Sequence, residues 1–154
     1  MAERMKFSKA FPEGVHALLS LGTVIEGSGL EPALMELVKV RASQMNACAF
    51  CIDMHTKNAR ALGESEMRLY ALDAWRETPF FTMRERAALA WTEVVTNIQH
   101  GHASDEEYQA ARREFGEGEL ARLTMVIGQI NLWNRVQIAF RAEPGIYKAT
   151  KAGN

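Results

Sequence analysis

The chain lacks an excess of charge of either sign. Its 154 residues include 18 Lys and Arg against 19 Asp and Glu, which gives a formal net charge of -1. A protein that grips a phosphate backbone needs a basic surface, because each phosphate carries a negative charge. The composition therefore argues against a nucleic-acid partner.

Long apolar runs are also missing. No stretch approaches the roughly 20 apolar residues that span a bilayer, and the N-terminal residues 1–9 contain no apolar segment of the signal-peptide type. We therefore expect no membrane partner and a cytoplasmic location. A chain of this length with 47% hydrophobic residues can bury one core but hardly two, so residues 1–154 are predicted to form a single domain.

Cysteine is scarce, and the two cysteines stand close together in the sequence, as Cys48 and Cys51. A reducing compartment keeps thiols free, so a disulfide that serves only to brace the fold is not expected there. Two cysteines three positions apart in such a protein indicate redox or metal chemistry.

The chain shows no strand pattern, since no segment alternates β-branched and polar residues between hairpin turns. Helix signals recur instead: Thr82 with Glu85, and Ser104 with Glu107, each match a capping box. The predicted fold class is all-α, a compact multi-helix domain. The predicted helices cover residues 14–26, 32–45, 47–63, 65–75, 82–98, 104–115 and 119–141.

The last predicted helix, residues 119–141, carries apolar side chains on nearly every side. A helix that is apolar all round must be covered all round, and a small chain achieves this most easily by lending one face to another subunit. We therefore expect a homo-oligomer. A central core helix in a monomer is the alternative.

The third predicted helix places both cysteines and His55 on one side. At about 100° per residue, Cys51 and His55 lie within about 60° of Cys48 around the helix axis. The same inward stripe is predicted to continue through Ile52, Ala59 and Leu62, with Asp53, Lys57 and Arg60 on the opposite side.

A thiol on this helix needs activation, because the thiolate is the nucleophile. Asn46 is a candidate N-cap, which would place Cys48 and Cys51 in the first turns, where the helix dipole favours negative charge. His55 follows Cys51 by four residues, the spacing at which side chains meet on a helix, and is the candidate base.

A histidine base needs an orienting partner, and Glu36 is the candidate because it stands among apolar residues of the preceding predicted helix. The alternative is that Glu36 pairs with Lys39 or Arg41, or points to solvent. The spacing alone leaves both interpretations open.

Glu36, followed twelve positions later by Cys48-Ala49-Phe50-Cys51 and then by His55, resembles the alkylhydroperoxidase D and carboxymuconolactone decarboxylase-like family. The resemblance covers at least residues 34–98. It is specific, because a C-x-x-C pair alone is a weak signal whereas all four residues in register are not.

The resemblance implies a thiol-dependent peroxidase or disulfide reductase that acts on alkyl hydroperoxides. In the mechanism that the resemblance implies, Cys51 attacks the peroxide, Cys48 closes a redox-active disulfide with Cys51, and Glu36 and His55 relay protons. No bound organic cofactor is implied. The expected partners are a hydroperoxide substrate and a dithiol reductant, such as a lipoylated protein, and the expected assembly is a trimer or hexamer.

One position departs from the best-studied members, which have a further histidine between the cysteines where this chain has Phe50. This departure leaves open the rate at which the substrate is reduced and the choice of reductant. From the residues alone the attacking sulfur stays open as well, because the helix dipole favours Cys48 as the more acidic thiol, whereas proximity to His55 favours Cys51.

Two other functions compete with redox chemistry. Cys48, Cys51, His55 and Glu36 could supply four zinc ligands, although structural zinc sites usually use more sulfur. A non-redox carboxymuconolactone decarboxylase-like activity is the other, but such relatives are not expected to need the cysteine pair.

Several further polar and aromatic residues are assigned structural roles. His100 and His102 look like a metal half-site, but they follow a predicted helix end, where histidine commonly faces solvent. Aromatic residues are predicted to pack in the core or an interface. Polar residues of the last helix could line a pocket or bridge subunits, and their role stays open. The aromatic residues are Tyr70, Trp75, Phe80 and Phe81, and the polar residues are Asn131, Asn134 and Arg135.

Overall fold

The computed structural model describes residues 2–149, and within them every regular element is helical. The predicted all-α fold class is thus confirmed. The α-helices are α1 (Phe7–Ala10), α2 (Pro12–Glu26), α3 (Pro32–Met45), α4 (Ala49–Ala61), α5 (Glu66–Ala71), α6 (Met83–Thr96), α7 (Asp105–Arg112) and α8 (Glu117–Phe140). Short 3-10 helices follow α5 and α6, at Leu72–Glu77 and Ile98–His100.

Both predicted capping boxes start helices. Glu85 N–H donates to Thr82 Oγ1 at 3.2 Å, and the Glu85 carboxylate accepts from Thr82 N–H at 2.7 Å, so two otherwise unpaired amides are satisfied at the start of α6. Ser104 and Glu107 repeat this exchange before α7. The sequence signal was sufficient here because the side chains that cap the helix are local.

The start of α4 differs from the prediction. Ala47 has a φ of 53°, in the left-handed region, so the chain cannot continue one helix into the next at that point. Asn46 is therefore the C-cap of α3 and not the predicted N-cap of α4; Cys48 is the N-cap, and α4 begins at Ala49. At the other end of α4, Leu62 is 42% exposed, so the predicted inward stripe stops at Ala59.

The segment after α4 is less regular than predicted. Residues 65–75 do not form one helix, because Ala74 leaves the helical region (φ -107°, ψ 31°) within the 3-10 segment that follows α5. Trp75 and Phe81 are buried as predicted and Phe80 is half-buried, but Tyr70 is 78% exposed and does not pack in the core of this chain.

Helix α3 is the central element, and it packs against α4, α6 and α8. Its buried residues are shared between two large apolar clusters, one with α6, α7 and α8 and one with α4, α5 and the 3-10 segment that follows. A third, smaller cluster surrounds both cysteines between the α3–α4 turn and α8. It contains Ala42, Cys48, Cys51 and Ile130, with Phe50 and Trp133 packed against them.

No helix among residues 2–149 is both long and apolar enough to cross a membrane. The single-domain interpretation of residues 1–154 stays a prediction; residue 1 and residues 150–154 lie outside the described part of the chain.

The cap of α6 gives a first test of the fold. Thr82→Ala is expected to lower the free energy of unfolding by about 1 kcal/mol, because it removes the oxygen that accepts from Glu85 N–H. Urea denaturation followed by circular dichroism measures the change. Thr82→Ser keeps the oxygen and is the matched control; equal stability of the Ala and Ser variants would contradict this role for the cap.

Candidate active site

The turn between α3 and α4 positions the two cysteines. Cys48 N–H donates to Ser43 O at 3.0 Å across the turn, and Cys51 N–H donates to Cys48 Sγ at 3.3 Å as the first turn of α4 forms. Cys48 and Cys51 are joined by a disulfide, with their Cα atoms 5.3 Å apart. Both side chains are buried, and both lie at the helix N-terminus, where free N–H groups favour a negative charge on sulfur.

Glu36 links α3 to α4 through its carboxylate. Its Oε2 lies 2.8 Å from His55 Nδ1, and its Oε1 accepts from Lys39 Nζ at 2.8 Å. Glu36 therefore contacts both the predicted histidine partner and one of the alternative partners, and it does not face solvent. Arg41, the other alternative, instead pairs with Glu93 and Asp73.

The charge state of Glu36 follows from these contacts. Burial alone would raise the pKa of its carboxyl group, but the hydrogen bond and charge of His55, together with Lys39, outweigh burial and lower the pKa. An ionised carboxylate only accepts hydrogen bonds, so it holds the proton of the imidazole on Nδ1. The other ring nitrogen, Nε2, is then left with a lone pair that can take up a proton.

A cleft of about 510 Å³ opens onto Cys51 and His55. Cys48, by contrast, is not among the described residues that line the cleft. The walls are apolar on several sides and come from α2, α4 and α8. The apolar lining includes Leu18, Leu19, Phe50, Met54, Ile130 and Trp133.

Part of this cleft was not predicted from the sequence. Helix α2 contributes Gly22, where an added Cβ would lie 3.3 Å from Gln129 Nε2, so its lack of a side chain allows α2 and α8 to approach closely. Tyr147 and Asn58 complete the polar side of the lining. These residues lie far apart in sequence, and no local pattern connects them.

Amide side chains tie α8 to the turn that carries the cysteines. Asn46 Nδ2 donates to Asn131 Oδ1 and Asn134 Oδ1, each at 2.9 Å, and Asn134 Nδ2 donates to Ser43 Oγ at 3.0 Å. Asn134 is fully buried, and Arg135 covers Asn131 by donating to its backbone oxygen at 2.8 Å. Within this chain, these polar residues of the last helix therefore hold the cysteine turn in place.

The histidines outside the cleft do not join a metal site. His100 and His102 are exposed at the end of the 3-10 segment after α6. Within residues 2–149, no three side chains of His, Cys, Asp and Glu are gathered in a way that would hold a metal ion. The zinc set considered from the sequence is not assembled in this arrangement, since the two sulfur atoms are bonded to each other.

Comparison of the sequence with known proteins identifies a family and two relatives. The sequence model of the carboxymuconolactone decarboxylase family matches residues 12–94. The uncharacterized protein YdfG of Bacillus subtilis is 41% identical over 139 residues, which are 90% of this chain and 95% of that protein. The uncharacterized protein YnjA of Escherichia coli is 34% identical over 113 residues, which are 73% of this chain and 61% of that protein.

Solved structures share the fold. A protein of unknown function from Agrobacterium tumefaciens, considered a candidate antioxidant defence protein AhpD, superposes with a TM-score of 0.91 at 39% identity, covering 95% of this chain and 100% of that one. An alkylhydroperoxidase AhpD core structure from Ralstonia eutropha superposes with a TM-score of 0.80 at 18% identity. The match covers 90% of this chain and 74% of that one, and at this identity it shows a shared fold alone.

The ionised state of Glu36 predicts how stability depends on pH. A carboxyl group whose pKa is lowered on folding stabilises the protein at neutral pH, and this contribution is lost as the pH falls through the folded-state pKa. We therefore expect Glu36→Gln to lose less stability than the parent protein between about pH 5 and pH 2. Urea denaturation at a series of pH values measures the effect.

Glu3→Gln, on an exposed position before α1, serves as the control for this series and is expected to follow the parent profile. Parallel profiles for Glu36→Gln and the parent would contradict an ionised, paired Glu36.

Proposed function

Because the chain belongs to the carboxymuconolactone decarboxylase family and has the AhpD-like fold, we propose that it is a thiol-dependent peroxidase that reduces organic hydroperoxides with Cys48 and Cys51. One observation carries the proposal: Cys51 and His55 line the same cleft, and His55 Nδ1 is hydrogen-bonded to the Glu36 carboxylate. This combines an accessible sulfur, a base one helical turn away and a group that orients the base.

In the first step, reduced Cys51 is the nucleophile. Its thiol gives a proton to His55 Nε2, and the thiolate attacks the terminal oxygen of the hydroperoxide, ROOH. The O–O bond breaks, the alkoxide leaving group takes the proton back from His55 and departs as ROH, and Cys51 becomes a sulfenic acid. The Glu36 carboxylate favours this relay because it stabilises the imidazolium that forms in between.

In the second step, Cys48 resolves the sulfenic acid. The Cys48 thiolate attacks the Cys51 sulfur, the S–O bond breaks, and hydroxide leaves as water after protonation, so the pair has given up two electrons. In the disulfide form the Cα atoms are 5.3 Å apart, within the normal range for a disulfide, so both cysteines form the bond from the N-terminus of α4. The disulfide is the oxidised form of the site.

The cleft supports Cys51 as the attacking sulfur. Both sulfurs are buried in the same small cluster with Ala42 and Ile130, but Cys51 lines the cleft and Cys48 is not among its described lining residues. A substrate that enters the cleft therefore meets Cys51 first. This access supports Cys51 as the attacking sulfur in the proposed mechanism.

A dithiol completes the cycle by exchanging with the Cys48–Cys51 disulfide and leaving as a disulfide itself. We propose a cytoplasmic dithiol donor, of which a lipoylated partner protein is one form. The two sulfurs carry the electrons themselves, so the proposed cycle requires no bound organic cofactor.

The proposed reaction is tested by mixing pre-reduced, metal-free protein with an alkyl hydroperoxide in a stopped-flow instrument. We expect one peroxide consumed and two thiols lost per chain. Cys51→Ser should abolish the reaction, Cys48→Ser should stop after one oxygen is added to Cys51, and His55→Ala should slow the first step by about 10²-fold or more.

His16→Ala, on an exposed position of α2, is the matched histidine control. Thiols that remain inert in a protein that binds one zinc ion per chain would overturn the proposal in favour of a metal site. Inert thiols in a protein that decarboxylates a lactone would favour the non-redox activity.

Assembly is a second part of the proposal. Helix α8 packs against α3 and α6 but leaves Met125 and Leu132, seven residues apart on one side of the helix, about half exposed. Apolar side chains spaced along one helix face favour burial against another subunit. We therefore propose that copies of this chain associate through α8, as a trimer or hexamer.

Light scattering coupled to gel filtration tests the assembly. The parent protein is expected to elute as an oligomer and Leu132→Glu as a smaller species, because a charge would be buried without a partner. Leu62→Glu, an equally exposed leucine on a different surface, is the control. A parent protein that is monomeric at high concentration would contradict the role proposed for α8.

A further inference from the structure

The chain turns back over α4 after α8 ends. Arg141 takes the left-handed conformation that closes α8, and Gly145, with a φ of 90°, makes a second turn. Residues 144–149, which we call the C-terminal strap, then run alongside α4. They lie beyond residues 12–94, which match the family model, so the resemblance assigns them no role.

An ion pair on the outer side of α4 holds the strap. Asp53 Oδ2 accepts from Gly145 N–H at 3.0 Å, and Asp53 Oδ1 lies 2.8 Å from Lys57 Nζ, which in turn donates to Tyr147 O at 2.9 Å. The hydrogen bond from Lys57, assisted by Gly145 N–H, lowers the pKa of Asp53, so its carboxylate is ionised at neutral pH. Two backbone groups of the strap are thus fixed by one pair of charges.

The side chain of Tyr147 points from the strap into the cleft. Its hydroxyl donates to Asn58 Oδ1 at 2.8 Å, and the residue is half-buried while Ile146 and Lys148 on either side are exposed. Tyr147 lines the same cleft as Cys51 and His55. A ring with two rotatable side-chain bonds, fixed at its hydroxyl and its backbone oxygen, is a rigid wall.

The α8 side of the cleft is firmly packed. Ile130 belongs to the cysteine cluster, and Trp133 packs against that cluster from the same helix. Tyr147 borders the cleft on its α4 side, held by the two hydrogen bonds already named. Asn58 follows Cys51 by seven residues, so the Tyr147 hydroxyl lies about two helical turns from Cys51 on the same side of α4, and the ring borders the approach along α4 to the sulfur.

We propose that Tyr147 is a specificity-determining residue, whose ring limits the size of the molecules that reach the Cys51 sulfur. Small hydroperoxides pass the ring, and hydroperoxides with a bulky aryl or branched group are slowed by it. The inference rests on the proposed function for the identity of the substrate, but the limit on size is a property of the cleft and can be measured without a peroxide.

The test compares two alkylating reagents that carry the same reactive group. Iodoacetamide is small, and iodoacetanilide adds a phenyl ring; in both, the thiolate displaces iodide. In a Cys48→Ser background Cys51 is the one thiol of the chain, so loss of thiol reports on Cys51 alone. Tyr147→Ala is expected to raise the rate with iodoacetanilide at least about fivefold relative to the rate with iodoacetamide, because thiol reactivity depends on access.

Two matched variants show whether the ring is responsible. Tyr147→Phe keeps the ring and loses only the bond to Asn58, so its ratio of rates should lie much closer to the parent than that of Tyr147→Ala. Ile146→Ala removes a neighbouring side chain that is 65% exposed, and its ratio should equal the parent ratio. Equal acceleration of both reagents in Tyr147→Ala, or an unchanged ratio, would overturn the inference.

Peroxide reduction is measured separately, with cumene hydroperoxide and hydrogen peroxide in the chain that retains Cys48. Tyr147→Ala is expected to raise the ratio of the two rate constants in favour of cumene hydroperoxide. If no variant reduces either peroxide, the proposed function fails while the alkylation ratios still decide the role of Tyr147. If both peroxides are reduced but the alkylation and peroxide ratios stay at parent values, the role of Tyr147 fails while the proposed function stands.

Discussion

The burial of the Glu36 carboxylate is the constraint on which the site depends. A buried charge is costly unless it is paired, and Glu36 meets this requirement with Lys39 one turn along its own helix and with His55 on the next helix. The second contact fixes the rotation of α4 against α3. Since Cys51 stands one turn before His55, the same contact places Cys51 in the lining of the cleft.

A second polar group prevents α8 from sliding across this pair of helices. Asn46, at the α3–α4 turn, is hydrogen-bonded to Asn134 of α8. The side-chain amides of α8 are therefore satisfied in one register of that helix. Apolar contacts alone tolerate small shifts, whereas buried amides do not. The rigid side of the cleft, which includes Ile130 and Trp133, follows from this register.

The sequence predicted what local rules govern. Spacing alone left the pairing of Glu36 with His55 open, whereas the all-α class and the two capping boxes followed from spacing and residue type. The start of α4 did not, because Asn46 suits an N-cap locally but is held as the C-cap of α3 by amides more than 80 residues away. Tyr147 was missed for the same reason, since its place at the cleft depends on Asp53 and Lys57 holding a distant segment.

Phe50 is the position at which the site departs from the family pattern. The best-studied relatives have a histidine at this position, whereas here an apolar ring lines the cleft, and among the described lining residues His55 is the one imidazole. In the proposed relay, His55 is therefore the one lining imidazole that can take the proton of the Cys51 thiol. Loss of Glu36 would then have no second histidine to compensate for it, and the burial of one carboxylate would determine both the packing of α4 and the chemistry at its N-terminus.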